Sequence, residues 1–220
     1  MKHILEFDSL QLQYHERSIL SSIYMKCELG EVVGVLGRNG SGKSSLMKIV
    51  FGSLKGSYQS IRINGVQLPA NHLHKRLIAY LPQENLIPSF ITIRKALRLF
   101  EINENDIIAD FPDIEDFLDF TPKLLSGGYQ RIIESLLILK SQALFCILDE
   151  PFSGLMPLHV ERLKQIIATE KTKKGIIITD HLYRHVTSLA DRLYLLSNGM
   201  TYLVKDEEDL ISRGYINSPT

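Results

Sequence analysis

The sequence lacks an apolar run long enough to cross a bilayer, which takes about 18 residues. Its longest strongly apolar runs, such as residues 143–148, have the length of a strand. We therefore expect that the chain does not span a membrane by itself. The N-terminal segment carries Glu6 and Asp8 and lacks a basic stretch followed by an apolar one, so we expect no secretory signal.

Cysteine is rare, and neither sign of charge is in surplus. Cys27 and Cys146 each stand in an apolar run typical of a strand, which predicts buried thiols in a reducing cytosol; a disulfide between them is the less favoured alternative. The 25 Lys and Arg residues balance 25 Asp and Glu residues. This balance argues against a nucleic-acid partner, although it leaves room for a local basic patch.

The composition is typical of a folded protein. Of the 220 residues, 45% are hydrophobic and 23% are charged, which suffices for one sizeable core and excludes a disordered or collagen-like chain. No repeat and no Pro-, Gly- or Ser-rich linker divides the sequence. We predict one globular unit, with a core and β subdomain in residues 1–83 and 141–220 and a helical subdomain in residues 84–140.

Hydrophobic periodicity predicts strands separated by helices. This pattern is typical of an α/β fold with a parallel core, here with a helical insertion and antiparallel edge strands. The predicted strands are residues 2–15, 31–36, 61–63, 78–81, 144–148, 175–179, 193–196 and 201–204. The predicted helices are residues 42–51, 93–100, 157–169 and 182–189, and a long helix capped by Ser126 that ends at Leu139.

A glycine-rich string, GRNGSGKS at residues 37–44, fits the phosphate-loop pattern G-x-x-x-x-G-K-[ST] and lies between a predicted strand and a predicted helix. Glycine allows successive N–H groups to turn inward around phosphate oxygens at a helix N-terminus. The lysine is expected to reach the β and γ phosphates, and the last serine to bind Mg²⁺. The residues predicted to hold phosphate are Gly37, Arg38, Asn39, Gly40, Ser41, Gly42, Lys43, Ser44 and Ser45.

Two adjacent acids end the buried strand at residues 144–148. The carboxyl end of such a strand is where α/β sheets bind ligands, so Asp149 is predicted to hold Mg²⁺ and Glu150 to orient or deprotonate the attacking water. A solvated strand end is the alternative. The upstream phosphate loop favours the catalytic interpretation.

Residues 125–130, LSGGYQ, closely resemble the signature of ATP-binding cassette (ABC) ATPases, and Asp149 follows at that family's spacing. The resemblance covers nearly the whole chain. Gln83 resembles the family's Q-loop residue, His181 its switch histidine, and Tyr14 the aromatic residue that stacks on adenine. Taken alone, His181 is compatible with a structural hydrogen bond and Tyr14 with an ordinary strand position.

The resemblance implies a P-loop NTPase fold with a RecA-like parallel core, an antiparallel β edge subdomain and an inserted α-helical subdomain. It implies binding of ATP and Mg²⁺, with Lys43, Glu150 and His181 as catalytic residues and Ser44, Gln83 and Asp149 around the metal. It also implies two chains packed head to tail, as a homodimer or with a close paralogue. The signature residues expected to cover the partner's ATP are Ser126, Gly127, Gly128 and Tyr129.

The resulting prediction is a cytoplasmic ATPase subunit of an ABC transporter, attached to the inner face of the membrane through separate transmembrane permease subunits, with no nucleic acid. Phe90 lies in residues 84–100, where the family receives a coupling helix; an ordinary lobe surface is the alternative. A soluble non-transport ABC ATPase and a nucleotide-gated regulatory module with low turnover are the competing functions. The absence of an Asn-Lys-x-Asp string disfavours a GTPase.

Three positions depart from the family pattern. Met156 stands where aspartate is usual after the acid pair, Tyr129 replaces a common Gln or Glu, and Ile132 replaces a residue that is often basic. From the missing acid at Met156 we expect altered turnover rather than lost nucleotide binding, and from Tyr129 and Ile132 we expect signature contacts that follow the family pattern less closely than the phosphate loop does. The absence of an acid at Met156 also leaves the nucleotide-gated regulatory module with low turnover as an alternative function.

Overall fold

The computed structural model describes residues 3–69 and 77–216. The strands are β1 (Ile4–Tyr14), β2 (Arg17–Leu20), β3 (Tyr24–Glu28), β4 (Val32–Leu36), β5 (Tyr58–Ile63), β6 (Val66–Gln67), β7 (Ile78–Leu81), β8 (Phe145–Asp149), β9 (Gly175–Thr179), β10 (Arg192–Ser197) and β11 (Met200–Val204). The α-helices are α1 (Lys43–Phe51), α2 (Ile93–Leu99), α3 (Glu104–Asp110), α4 (Gly127–Lys140), α5 (Pro157–Glu170), α6 (Tyr183–Thr187) and α7 (Glu207–Ser212). Two 3₁₀ helices span Pro112–Phe117 and Pro122–Leu124.

The central sheet has six strands in the order β11-β10-β4-β9-β8-β7. The strands from β10 to β7 are mutually parallel, and β11 pairs antiparallel with β10 at one edge. Because β4, β8 and β9 are covered on both faces, all of their residues are buried, which explains their unbroken apolar runs. Consecutive residues of β9 point to opposite faces of the sheet, so Ile176 and Ile177 belong to two different core clusters.

The second sheet is antiparallel and is centred on β1. β1 pairs with β2, β3 and β5, and β5 pairs with β6 through the turn at Asn64 and Gly65. Both turn residues have positive φ, as an Asn-Gly hairpin turn requires. Phe7 of β1 and Leu46 of α1 share one core cluster with Val35 of β4, so this sheet and α1 pack on one face of the central sheet.

The other face of the central sheet is covered by α4 and α5, which share the second core cluster with Leu148. α2, α3, the 3₁₀ helices and α4 all lie between β7 and β8 in sequence. Thr92 and Ser126 accept hydrogen bonds from the N–H groups of Lys95 and Tyr129, which caps α2 and α4 at their N-termini.

The α/β class, the parallel core, the antiparallel edge and both predicted caps are confirmed. Cys27 and Cys146 are buried free thiols. The predicted strand at residues 2–15 spans Ile4–Tyr14, with residue 2 outside the described part, and the helix predicted at residues 182–189 is shorter, at Tyr183–Thr187. The short helices α3 and α7, of seven and six residues, are not among the predicted elements. The division into subdomains stays a prediction.

Candidate functional site

The phosphate loop, residues 37–42, connects the end of β4 to the start of α1. Gly40 and Gly42 have φ of 77° and 101°, in the left-handed region that favours glycine. The Lys43 Nζ donates hydrogen bonds to the main-chain oxygens of Gly37, at 2.7 Å, and Arg38, at 3.3 Å. Because the first-turn N–H groups of a helix lack intrahelical acceptors, this loop combines backbone donors with a cation at one point.

Lys43 is only 6% exposed. Burial lowers the pKa of Lys43, and the negative charges of Glu150, Asp149 and Asp180 act in the opposite direction. The three carboxylates therefore lie close enough to the ammonium group to act on it. A cation held among acids beside free N–H groups suits a ligand that brings both phosphate and a metal ion.

Asp149 ends β8 and is fully buried. The Thr179 hydroxyl donates a hydrogen bond to its Oδ1, and the Tyr80 hydroxyl donates to its Oδ2 over 3.1 Å. Burial, together with the charge of Asp149, raises the pKa of Tyr80, so this phenol stays a donor. The neighbouring strands thus fix both carboxylate oxygens in place.

Glu150 follows at the end of β8 with a positive φ of 56°, which is uncommon outside glycine. Its N–H donates to the main-chain oxygen of Thr179 over 2.7 Å. The Nδ1 of His181 lies 3.7 Å from the Glu150 Oε2 and 3.5 Å from the Asp180 Oδ1. Glu150 thus combines an uncommon backbone conformation with a carboxylate close to a histidine, and backbone outliers often occur at functional sites.

A cavity of about 510 Å³ opens beside the phosphate loop, and we call it the nucleotide cavity. It brings together predicted residues that lie between positions 14 and 150 of the sequence. Its lining residues are Tyr14, Ile19, Asn39, Gly40, Gly42, Lys43, Ser44, Ser45, Gln83 and Glu150. Gly37, Arg38, Ser41, Asp149 and His181 do not line it, although Gly37 and Arg38 bond to Lys43 and His181 adjoins Glu150.

The signature residues lie beside this site. Ser126, Gly127 and Gly128 line a separate cavity that also contacts Gln83 and Glu150. A Cβ on Gly128 would lie 2.9 Å from the main-chain oxygen of Gly154, so only glycine fits there without a shift. The three residues thus form a surface next to the acid pair, within the same chain.

Tyr129 is directed away from both cavities. Its hydroxyl donates to Asp113 over 2.9 Å, and its ring packs on Phe117, with centroids 4.9 Å apart, and on His159, at 5.2 Å. The hydrogen bond to Asp113 raises the pKa of Tyr129. The ring of Tyr129 thus packs between the 3₁₀ helix Pro112–Phe117 and α5.

The residues present fit a triphosphate with a divalent metal ion. The buried Ser41 Oγ has no hydrogen-bond partner among the described residues, so a loop that closes on a ligand can still satisfy it. The Ser44 hydroxyl, the Gln83 amide oxygen and the Asp149 carboxylate are the hard oxygen donors that Mg²⁺ prefers. The glycines and the Lys43 ammonium supply the complementary phosphate donors.

The sequence profile of a family described as ABC transporter matches residues 20–153. The chain belongs to the ABC transporter family. The lipopolysaccharide export system ATP-binding protein LptB of Haemophilus influenzae is 31% identical over 212 residues, covering 89% of this chain and 88% of that protein. The high-affinity branched-chain amino acid transport ATP-binding protein BraG of Pseudomonas aeruginosa is 27% identical over 210 residues, covering 89% and 90%.

A solved structure described as the ATP binding subunit of an ABC transporter superposes on this ABC chain with a TM-score of 0.84 at 24% identity, covering 98% of this chain and 95% of the other. This likeness shows the P-loop NTPase α/β fold. The relatives of this chain group it with the ATP-binding subunits of transport systems. Membership of the ABC transporter family implies ATPase activity in general. Within residues 3–69 and 77–216, no helix is both long and apolar enough to span a bilayer.

Sequence reasoning missed two buried charged residues of this ABC ATPase. Arg131 donates to main-chain oxygens at the ends of β7 and β8, among them that of Pro82 at 2.7 Å. Glu134, on the same helix, accepts from the N–H groups of Leu86, at 2.9 Å, and Ile87, at 3.2 Å. Their only sequence signal is charge inside the apolar stretch of α4.

Proposed function

We propose that this chain is the ATP-binding and ATP-hydrolysing subunit of an ABC transporter, which dimerises head to tail around Mg·ATP and drives separate transmembrane subunits. The observation that carries the proposal is the shared lining of the nucleotide cavity. The phosphate-loop Lys43, the Q-loop Gln83 and the acid Glu150 meet there, with Asp149 behind them.

ATP is held chiefly by its phosphates. The Lys43 ammonium and the first-turn N–H groups of α1 bind the β and γ phosphate oxygens, while Asn39 and Ser45 add polar contacts at the rim. Tyr14 is 51% exposed at the mouth of the cavity and stacks on adenine. Each charge-assisted hydrogen bond contributes about 1.5 to 3 kcal/mol, against about 1 kcal/mol for the aromatic stack, so the phosphates dominate affinity.

Ser44, Gln83 and Asp149 are the proposed Mg²⁺ ligands. When bound, the ion neutralises charge on the β and γ phosphates. Tyr80 and Thr179 fix Asp149 for this task, because their hydroxyls donate hydrogen bonds to its two carboxylate oxygens.

Glu150 and His181 carry the hydrolytic step. The Glu150 carboxylate accepts a hydrogen bond from the attacking water, orients it toward the γ-phosphorus and takes its proton. His181 lies next to that carboxylate and donates a hydrogen bond to a γ-phosphate oxygen, where charge develops. Gln83 lies in the same cavity and links this chemistry to the segment that follows β7.

A second copy, or a close paralogue, completes the site. Ser126, Gly127 and Gly128 at the start of α4 form an anion-binding surface that covers the ATP of the partner.

We propose residues 84–140 as a helical subdomain on a core of residues 1–83 and 141–220. Phe90 belongs to this subdomain and is 82% exposed. Phe90 is proposed to contact a permease subunit, which holds the chain at the cytoplasmic face of the membrane without any nucleic acid.

Met156 favours one second candidate, a nucleotide-gated regulatory module with low turnover. This side chain is 58% exposed just before α5 and lacks the carboxylate that the family usually has there. A soluble non-transport ABC ATPase finds less support, because the balanced charge does not favour nucleic acid or ribosomes.

The test is Glu150→Gln, compared with Glu208→Gln at an exposed surface position. With Mg·ATP, Glu150→Gln is expected to accumulate as an ATP-bound dimer in light scattering and to lose ATPase activity, whereas Glu208→Gln behaves as wild type. A wild-type protein that forms the ATP dimer yet does not turn over would favour the module. Co-purification with a polytopic membrane protein tests the transport assignment; recovery with ribosomes or alone would contradict it.

A further inference from the structure

A second cavity, of about 520 Å³, adjoins the nucleotide cavity and shares the wall formed by Ile19, Asn39 and Gly40. Its other walls are the turn between β10 and β11 and the segment that follows α7. We call it the arginine cavity, because Arg17, Arg38 and Arg213 all line it. None of the roles proposed for ATP hydrolysis uses Arg17 or Arg213.

The arginine cavity carries uncompensated positive charge. No Asp or Glu lines it, and no carboxylate of the described residues lies within 4.0 Å of its guanidinium groups. By contrast, two arginines elsewhere in the chain are neutralised by acids, since Arg62 contacts Glu6 and Asp8 and Arg94 contacts Glu104 and Asp119. Three arginines without a carboxylate partner among the described residues line one cavity, in a chain with no net charge, which creates a local field that attracts anions.

Two of these arginines are held in place by neutral groups. The guanidinium carbon of Arg213 lies 4.1 Å from the ring centroid of Tyr202, so the ring fixes its plane while its N–H edges stay available. The Nη2 of Arg38 donates to the main-chain oxygen of Gly214 over 2.6 Å, which leaves its other N–H groups for a ligand. Such anchoring reduces the conformational entropy that a ligand must overcome.

We propose that the arginine cavity binds a small phosphorylated molecule, separately from the nucleotide site. Planar guanidinium groups bind phosphate through paired N–H donors, and the cavity volume suits a ligand of sugar-phosphate size. Ser18 and Asn198 offer hydrogen bonds to hydroxyl groups, and Leu195 gives an apolar contact. This site goes beyond the proposed ATPase function and does not depend on it.

The experiment is an amide NMR titration of the full chain with glucose 6-phosphate, inorganic phosphate or citrate. It is run on wild type and on Lys43→Ala, which weakens phosphate binding in the neighbouring nucleotide cavity. Saturable shifts are expected at Gly199 and Gly214 in both proteins. We expect glucose 6-phosphate to bind more tightly than citrate, because the site is proposed to recognise phosphate. Tighter binding of inorganic phosphate than of glucose 6-phosphate would mean that the ligand of the site is the free phosphate ion and not a phosphate ester.

Two variants with matched chemistry complete the test. Arg17→Gln combined with Arg213→Gln is expected to weaken the phosphate-dependent shifts at least about tenfold, since two charge-assisted contacts are lost. Lys95→Gln combined with Arg98→Gln, at two exposed positions on α2, removes the same number of positive charges and is expected to leave the shifts unchanged. Shifts that grow linearly without saturation, that survive the double variant, or that citrate produces at lower concentration would overturn the proposal. ATP binding by wild type is measured in parallel, so a failure there counts against the proposed ATPase alone.

Discussion

The Nε of Arg131, on α4, donates a hydrogen bond to the main-chain oxygen of Glu150 over 3.1 Å. The same guanidinium bonds to the main-chain oxygens of Asp149 and Pro82. Burial lowers the pKa of Arg131, and nearby carboxylates, Glu134 first, act against this. One buried side chain from the signature helix therefore holds the strand ends that carry the acid pair and the Q-loop.

We expect Arg131→Met to reduce both stability and turnover. Three main-chain carbonyl oxygens, one in a buried and two in partly buried hydrogen bonds, would lose their donor, so the free energy of unfolding should fall by about 3 kcal/mol. Displacement of Glu150 should lower kcat at least about tenfold, with little change in the Kd for ATP. Urea unfolding, steady-state ATPase assays and ATP titration measure these quantities. Arg98→Met is the surface control, and an unchanged kcat in a folded Arg131→Met protein would contradict the positioning role.

Lys43→Ala should abolish most nucleotide affinity. The ammonium is buried among loop carbonyls and acids, so its removal deletes the strongest phosphate contact and should raise the Kd for ATP at least about 100-fold. Lys48→Ala is the matched control, because Lys48 lies on the same helix in a surface ion pair with Glu84. Equal ATP affinity of Lys43→Ala and wild type in calorimetry would refute the nucleotide assignment.

The parts of the site that the sequence predicts are those with local spacing. The phosphate loop, the acid pair and the signature are continuous strings, and the flanking strand and helix patterns fix where each one lies. The buried strands β4, β8 and β9 were recognisable for the same reason, because coverage on both faces requires uninterrupted apolar residues.

The contacts that hold the site together were not predictable. Tyr80 and Asp149 are 69 positions apart, and Arg131 and Pro82 are 49 apart, so no local pattern links either pair. Tyr129 shows a second limit. Its position in the signature predicts a contact with the partner's nucleotide, which stays a prediction, whereas its contacts with Asp113 and His159 depend on a side-chain rotamer that no local pattern fixes.

Tyr129 should contribute to stability in two separable ways. Tyr129→Phe removes the hydrogen bond to Asp113 and should lower the free energy of unfolding by about 1 kcal/mol. Tyr129→Gln, the common residue of the family, also removes the ring contacts with Phe117 and His159 and should lower it by about 2 to 3 kcal/mol. Urea unfolding measures both, with Tyr58→Phe on the exposed face of β5 as control. Equal stability of all three variants would exclude the packing role.

Asp191 predicts a pH-dependent contribution to stability. Partial burial raises its pKa, but hydrogen bonds from Lys171, at 2.7 Å, and from the Val32 N–H, at 2.8 Å, outweigh this and the net pKa is lowered. A lowered folded-state pKa means that the contribution is complete above the unfolded pKa, about 4, and is lost as pH falls through the folded value.

Asp191→Asn should therefore lower the free energy of unfolding by about 1 kcal/mol at pH 7, and the difference from wild type should shrink on acidification below about pH 4. Urea unfolding of both proteins at pH 7 and at pH values below about 4 measures this difference in the free energy of unfolding. Asp116→Asn, at an exposed position without these bonds, should differ little from wild type throughout. A difference that widens as the pH falls would show that the carboxylate of Asp191 is not stabilising.

Met156→Asp should separate turnover from binding. Met156 occupies the N-cap of α5 with extended backbone and no capping side chain, and the first turn of α5 contains no acid. An aspartate there can accept from the free N–H groups, so the isolated chain should gain about 1 kcal/mol of stability. The side chain lies outside the nucleotide cavity, so the Kd for ATP should change less than kcat.

Met156→Asn distinguishes the two effects of this substitution. Asparagine caps a helix about as well as aspartate but carries no charge. If the carboxylate acts across the proposed dimer seam, Met156→Asp alters kcat and Met156→Asn does not, although both raise the urea midpoint. If both variants alter kcat equally, the change in turnover comes from ordering the start of α5 within one chain. A Met156→Asp protein whose Kd for ATP and kcat change by the same factor would place residue 156 in nucleotide binding itself.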